Sequence, residues 1–204
     1  RLAEKYENKQ LCRKYLEMAE KTKKSFDEKF YNEEKHCLYD VLGDSKVRPN
    51  QLFALSLSHP IVDNAEIAEQ ILSTVENKLL NKYGLKTLSS DEDGYVDVYE
   101  GSAYKRDSSY HQGITWPWLL GLYYDALKNT MIIEKNRTKR QELEEKITKL
   151  VYTTKETFKA EMFERSSIGT ISEIYDSTEP YEERGAFAQA WSVAEIFRIV
   201  LNKR

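Results

Sequence analysis

The 204-residue sequence predicts an all-α fold, and three observations lead to that prediction. Apolar residues recur at helical spacing over several long stretches, with lysine and glutamate filling the opposite faces. Patterns typical of strands are few and short, confined to about residues 38–42 and 168–174. The composition is 40% hydrophobic and 12% aromatic, as expected of a globular chain that buries a core.

Six helices are expected, and the first three occupy the N-terminal part of the chain. The first has an apolar stripe made of Cys12, Tyr15, Leu16, Ala19, Phe26 and Phe30. On this stripe Cys12 is expected to be a small core residue. A short helix over 50–58 follows, and the next begins at a capping box formed by Asp63 and Glu66. That helix is expected to stop at Gly84. Its apolar stripe consists of Ala68, Ile71, Leu72, Val75 and Leu79.

Two of the other three helices are expected over 114–128 and over 187–201. The third lies between them and is indicated by an apolar stripe. The stripe consists of Leu143, Ile147, Leu150, Val151 and Phe158. Segment 187–201 is apolar over most of its circumference, which suits a helix buried between neighbours. The connections 83–113 and 163–186 are much longer than those of an ordinary helical bundle, and they are rich in polar, aromatic and glycine residues. Long ordered loops on a helical scaffold are common places for binding and catalysis.

Charge and cysteine content exclude several classes of function. The chain has 31 Lys and Arg against 34 Asp and Glu, so it lacks the strongly basic surface of a general nucleic-acid binder. The longest uncharged stretch, 108–124, contains His, Gln, Ser and Pro, so no membrane span is expected. Cys12 and Cys37 form neither a disulfide framework nor a zinc-like spacing. No glycine-rich phosphate loop is present in the sequence. Because the two cysteines form no disulfide framework, a reducing, cytoplasmic location is expected.

Two clusters of polar and aromatic residues lie within the first 118 residues. In the first, 48–54, Pro49 suits the first turn of a helix. Arg48, Asn50 and Gln51 then stand at the start of that helix, where simple capping explains them as well as binding does. The second, 110–118, combines one Tyr, one His, one Gln and two Trp, which offer flat faces for sugar rings and donors for hydroxyls, or ordinary core packing.

Two further clusters lie near the C-terminus. In segment 169–176 a carboxylate, Glu173, stands between two apolar residues, which gives it reason to be partnered or functional, although among 34 acidic residues an ordinary surface residue is the more frequent case. Segment 184–192 enters the last predicted helix and places Gln189 and Trp191 near its beginning. Capping and core packing remain open as explanations of these two residues.

Taken in order, the motifs resemble one family. The matching segments are RPNQLFALSL (48–57), YGLKTLS (83–89), YHQG and WPWLLG (110–121), GTISEIYD (169–176), and RG with AQAWSVAE (184–195). They resemble the C-terminal part of the glycogen debranching enzyme family, the amylo-α-1,6-glucosidase domain, in its bacterial and archaeal form. The resemblance implies an (α/α)6 barrel of twelve helices, of which residues 1–204 would be the second half. A start without Met, inside a predicted helix, agrees with a fragment whose remaining barrel lies upstream.

The resemblance also implies a reaction and a set of site residues. The family hydrolyses α-1,6-linked glucose at branch points of glycogen or limit dextrin with inversion, without metal or organic cofactor. Such a mechanism needs one carboxylic acid and one carboxylate about 6.5–9.5 Å apart. Glu173 matches the family's general base, whereas its general acid is an Asp upstream of this chain. The substrate contacts implied are Arg48, Asn50, Gln51, His111, Gln112, Trp116 and Gln189.

Some features remain open at this point. Trp118 and Trp191 are expected in the core rather than in the site. The acidic segment 177–183 and the loop parts 91–93 and 97–104 depart from the family's usual pattern, which bears on the glucan preferred. Two alternatives stay open: another barrel glucosidase, trehalase-like or specific for an oligosaccharide, and a non-catalytic glucan-binding helical domain. This chain by itself is expected to be inactive, since it would carry one of the two carboxylates.

Overall fold

The computed structural model of the protein describes residues 2–165 and 168–201. Within these ranges the chain is mostly helical, which confirms the predicted helical class. The eight α-helices are α1 (Leu2–Lys5), α2 (Lys9–Lys29), α3 (Phe53–Ser56), α4 (Ala65–Lys78), α5 (Ala103–Ser109), α6 (Leu119–Ile133), α7 (Arg137–Glu164) and α8 (Ala190–Leu201). A 3-10 turn, Pro49–Leu52, leads into α3. Residues 166 and 167 of the predicted connection 163–186 lie outside the described residues.

Short antiparallel strands tie the long connections together. The described strands are β1 (Tyr31–Asn32), β2 (Cys37–Leu38), β3 (Leu85–Lys86), β4 (Thr115–Trp116), β5 (Ile174–Tyr175) and β6 (Glu183–Arg184). Strands β1 and β2 form a hairpin, and β3 to β6 form one four-stranded sheet in sequence order. Its register pairs Leu85 with Trp116, Thr115 with Tyr175 and Tyr175 with Glu183. The sheet therefore brings the segments after α4, before α6 and after α7 into contact.

Helix α6 lies at the centre of the core. It packs against α3, α4, α7 and α8. Its buried residues are Leu119, Leu120, Gly121, Tyr123, Tyr124, Ala126, Leu127 and Thr130. The ring of Tyr83 joins this core to the sheet, because it stacks on Tyr175 at 4.5 Å and meets Phe158 of α7 edge-on at 6.0 Å. The sheet is thus anchored to rigid helices on one side.

The ends of the α4 helix differ from the prediction. Asn64, rather than Asp63, is its N-cap residue, and the Asn64 side chain accepts a 3.2 Å hydrogen bond from the Ile67 amide. The predicted capping box of Asp63 and Glu66 is therefore wrong, since the cap lies one residue later. The helix ends at Lys78, and Gly84 belongs to the turn that leads into β3 rather than to a helix stop.

Two other predicted helices begin later than expected. The helix predicted over 114–128 starts at Leu119, because Thr115–Trp116 is paired as the inner strand β4. The helix predicted over 187–201 starts at Ala190, and Phe187 is 73% exposed. The two predicted strand segments are reduced to Cys37–Leu38 and Ile174–Tyr175.

Helix α2 shows the largest departure. None of its residues is buried, although its apolar stripe predicted a core-facing helix. Tyr15 and Leu16 are 56% and 63% exposed, and Cys12 is partly exposed, so its assignment to the core is wrong. Phe26 packs against the core at the C-terminal end of the helix. An amphipathic pattern identifies the helix but does not supply a partner for its apolar face.

Candidate active site

Glu173 lies directly before β5, and its carboxylate accepts three hydrogen bonds. The Tyr110 hydroxyl donates to Oε1 at 2.6 Å, and the Gln189 side-chain amide donates to the same oxygen at 3.2 Å. The backbone N–H of Ala186 donates to Oε2 at 3.0 Å. Glu173 is partly exposed, and these three donors fix its carboxylate.

Tyr110 is a neutral donor in this arrangement. Burial, together with the hydrogen bond to the Glu173 carboxylate and its negative charge, raises the pKa of the Tyr110 hydroxyl well above its ordinary value. Its ring lies among those of Tyr99, His111 and Trp116, with centroids 5.6, 4.8 and 4.7 Å away. The Trp116 indole N–H also donates to the Tyr110 carbonyl at 3.2 Å. The tyrosine is therefore held from several directions.

The segment after β6 approaches the carboxylate closely. The Glu173 amide donates to the Ala186 carbonyl at 2.9 Å, next to the β5–β6 pair of Ile174 and Arg184. Gly185 adopts a φ of +68°, a conformation that glycine allows without strain. A Cβ atom at this position would collide with Oε2 of Glu173. Gly185 is thus required by both its backbone conformation and the nearby carboxylate.

An ion pair with a buried carboxylate holds the loop before α5 against the same sheet. Asp176 is 3% exposed and accepts from Arg184 Nε at 3.0 Å and Nη2 at 2.8 Å. Its second oxygen accepts from the Tyr99 amide at 2.8 Å. Because Tyr99 packs on Tyr110, this ion pair helps to place the donor to Glu173.

Arg48 fastens the loop that follows Tyr110. Its guanidinium donates to the carbonyl oxygens of Thr87 and His111 at 3.1 and 2.8 Å, and to Gln112 Oε1 at 3.0 Å. Gln51 is buried beside it, donating to the Arg48 carbonyl at 2.7 Å and accepting from the Leu38 amide at 3.2 Å. The structure therefore brings Arg48, Gln51 and Gln112 together as one network.

Asn50 and His111 are the exposed members of the predicted contact set, whereas Trp116 is buried. His111 stacks on Trp116 at 5.3 Å with an interplanar angle of 13°. Burial, and secondarily the charge of Arg48, lowers the pKa of His111, which favours the neutral imidazole. Trp191 was expected in the core, yet it is 46% exposed and lies 5.8 Å from Trp116, so that expectation is wrong.

Trp118 lies closer than Trp191 to its expected position in the core. It is partly buried and packs against the core, with its ring 5.9 Å from Trp191 and 6.4 Å from Phe53. The rings from Tyr99 to Phe53 thus form a continuous aromatic track beside Glu173. We define this track by Tyr99, Tyr110, His111, Trp116, Trp191, Trp118 and Phe53. Exposed aromatic faces next to hydrogen-bonding groups suit the apolar and polar sides of a sugar ring.

The model of the amylo-alpha-1,6-glucosidase family matches residues 1–198. The chain belongs to the amylo-alpha-1,6-glucosidase family. Membership indicates a glycoside hydrolase domain with a glucan substrate. The family-like segments 110–121, 169–176 and 184–195 meet at the Glu173 carboxylate, and segment 48–57 joins 110–121 through the bond from Arg48 to Gln112.

Several residues around Glu173 were not named as site residues from the sequence. Tyr110, Asp176, Arg184 and Gly185 all lie inside the family-like segments, which was the available signal. Their partners are far away along the chain: Tyr110 and Glu173 are 63 residues apart, and Tyr99 and Asp176 are 77 apart. Spacing along the sequence gives no indication of such pairs.

Neither a metal cluster nor a membrane helix is found in the described parts of this family member. In residues 2–165 and 168–201, no group of three or more His, Cys, Asp or Glu side chains is placed to hold a metal ion. No helix there is long and apolar enough to cross a membrane.

A second carboxylate cluster lies on the inner side of the sheet. Glu161 of α7 is 4% exposed and accepts from the Tyr175 hydroxyl at 2.8 Å. Arg165 Nε lies 3.5 Å from Glu161 Oε2 and 2.7 Å from Glu183 Oε1, so one guanidinium serves two carboxylates. Burial, reinforced by Glu183, raises the pKa of Glu161 to about 7. The cluster links α7 to β5 through Tyr175 and to β6 through Glu183.

This cluster predicts pH-dependent stability. Because the folded-state pKa of Glu161 lies above the ordinary value of 4.5, the folded state binds the proton more tightly than the unfolded state. The free energy of unfolding is then expected to fall by up to about 3 kcal/mol as the pH rises from about 4.5 to 7. Glu161→Gln keeps an acceptor for Tyr175 and should remove this loss. Urea unfolding between pH 4.5 and 8 measures it.

The exposed Glu164, on the same helix, offers a matched control. Glu164→Gln should follow the wild-type dependence on pH. Parallel curves for wild type and Glu161→Gln would show that Glu161 does not titrate as described.

Proposed function

We propose that the protein is an inverting glycoside hydrolase that releases α-1,6-linked glucose from branch points of glycogen or limit dextrin. The observation that carries the proposal is the Glu173 carboxylate. It is partly exposed, fixed by three donors and placed beside the aromatic track, in a chain that belongs to the amylo-alpha-1,6-glucosidase family. A partly exposed carboxylate held by three donors suits a general base.

In the proposed step Glu173 removes a proton from a water molecule on the far face of the terminal glucose. The water oxygen forms a bond to the anomeric carbon while the bond from that carbon to the branch oxygen breaks. A carboxylic acid on the opposite side protonates the departing oxygen. We place that acid in the part of the barrel upstream of this chain, so that residues 1–204 form the second half of an (α/α)6 barrel.

The predicted substrate contacts acquire different proposed roles from their positions. Asn50 and His111 are exposed and are proposed to meet sugar hydroxyls directly, and Trp191 is added as a stacking face. Arg48, Gln51, Gln112, Trp116 and Gln189 have side-chain groups already bonded within the protein. We propose that these five act by fixing the loops and the base.

Further parts of the proposal concern the protein as a whole. We propose that hydrolysis needs no metal or organic cofactor, and that the protein works in the cytoplasm. Because one carboxylate is proposed to lie upstream, residues 1–204 by themselves should release no glucose. Measurable release by this chain would contradict the half-barrel arrangement.

Release of free glucose by the full-length protein tests the proposed reaction. The substrates are a branched limit dextrin, a linear α-1,4 oligosaccharide and α,α-trehalose, at matched concentrations of terminal glucose. Release from the limit dextrin alone is expected. Preferred hydrolysis of trehalose or of the linear oligosaccharide would indicate a different barrel glucosidase, and binding of dextrin without release would indicate a glucan-binding domain.

A further inference from the structure

The hydrogen bonds to Glu173 are distributed unequally between its two carboxylate oxygens. Oε1 accepts from both Tyr110 and Gln189, whereas Oε2 accepts from the Ala186 amide. An ionised carboxylate has about four lone-pair positions, two on each oxygen. The two described donors to Oε1 fill its positions, and one position on Oε2 stays available for a further donor.

Resting on the proposed function, we infer that Tyr110 is a positioning residue which, with Gln189, occupies Oε1 of Glu173 and leaves Oε2 as the oxygen that takes the proton from water. In this step the water O–H bond breaks and its proton forms a bond to Oε2. The water oxygen, with the electron pair released, attacks the anomeric carbon. Tyr110 keeps its own proton throughout.

The surroundings of Tyr110 support a donor fixed in one orientation. Its hydroxyl lies 2.6 Å from Oε1, the short distance of a charge-assisted hydrogen bond. Three neighbouring rings surround it, and one of them, Tyr99, is held through its amide by the buried Asp176–Arg184 pair. The tyrosine is therefore anchored independently of Glu173.

Gln189 supplies the second donor to Oε1 from a similarly fixed position. Its side-chain oxygen accepts from the Ala190 amide at 3.0 Å, and its own backbone amide donates to the Ile171 carbonyl at 3.0 Å. These bonds orient the amide so that its nitrogen faces Glu173. Both donors to Oε1 belong to anchored residues. They therefore oppose a rotation of the carboxylate that would exchange Oε1 and Oε2.

The substitution Tyr110→Phe tests the inference in the full-length protein, since it removes the hydroxyl and keeps the ring. With limit dextrin as substrate, kcat should fall about 10- to 100-fold with KM changed less than about twofold, because the loss concerns the base and not sugar binding.

Tyr104→Phe is the matched control, because Tyr104 is 82% exposed and lies on the neighbouring helix α5. It should leave kcat and KM as in the wild type. Release of glucose by the wild type, with kcat and KM unchanged in Tyr110→Phe, would overturn the role of Tyr110 and keep the proposed reaction. A rise in KM with kcat unchanged would instead identify Tyr110 as a sugar contact and also overturn the inference. No release by the wild type would overturn the proposed reaction and this role with it.

Discussion

Replacing Glu173 with glutamine is expected to lower the kcat for glucose release from limit dextrin by at least about a thousandfold in the full-length protein. General-base catalysis contributes about 10²- to 10⁴-fold, and the same carboxylate also orients the attacking water. Glutamine preserves the size of the side chain and an acceptor for Tyr110, but it cannot accept the water proton. KM should change little, because the proposed sugar contacts are left in place.

Glu182→Gln provides the comparison for this variant, because Glu182 is exposed and belongs to the segment between β5 and β6. Its activity should match that of the wild type. A loss smaller than tenfold in Glu173→Gln would exclude Glu173 as the general base and move that role to another carboxylate.

Substitution of Gly185 by alanine is expected to cause the second largest loss, about a hundredfold or more in kcat. The added Cβ would collide with Oε2 of Glu173 and lie 3.0 Å from a side-chain carbon of Ile174. The backbone at φ +68° adds about 1–2 kcal/mol of strain for a residue other than glycine. Either the carboxylate or the β6 segment has to move, and a displacement of about 1 Å is enough for a large loss of rate.

Gly43→Ala separates backbone strain from the collision. Gly43 has a φ of +89°, and a Cβ there would meet no atom within 4 Å. Both variants should therefore lose some stability in thermal unfolding, whereas Gly185→Ala alone should lose activity. Equal kcat values for the two variants would show that the approach of Gly185 to Glu173 has no role in turnover.

Local patterns predicted the helices that pack on the core. The stripes of α4 and α7 are correct because burial on one face of a helix produces the 3.6-residue period directly. In α2 the same period predicted that Leu16 faces the core, whereas Leu16 is exposed. The period identifies the apolar face of a helix but not the element that covers it. The position of the Asn64 cap was missed by one residue because adjacent Asp63 is an equally good capping residue.

The candidate site was predictable in its segments more than in its contacts. Glu173 came from the resemblance of one motif, and the structure surrounds it with residues of two others. Trp191 was expected in the core and is exposed, whereas Trp116, a predicted substrate contact, is buried. Both are tryptophans, so their residue type does not distinguish a buried position from an exposed one. Their exposure depends on the pairing of β4 and on the start of α8.

The anomeric form of the released glucose tests the central claim most directly. In the proposed reaction the water activated by Glu173 attacks the anomeric carbon from the face opposite the α-1,6 bond. Proton NMR of the full-length protein acting on limit dextrin should therefore show β-glucose first, with the α-anomer appearing only at the rate of spontaneous mutarotation. Initial release of α-glucose would indicate retention through a covalent intermediate and would contradict the assignment of Glu173 as the general base of an inverting hydrolase.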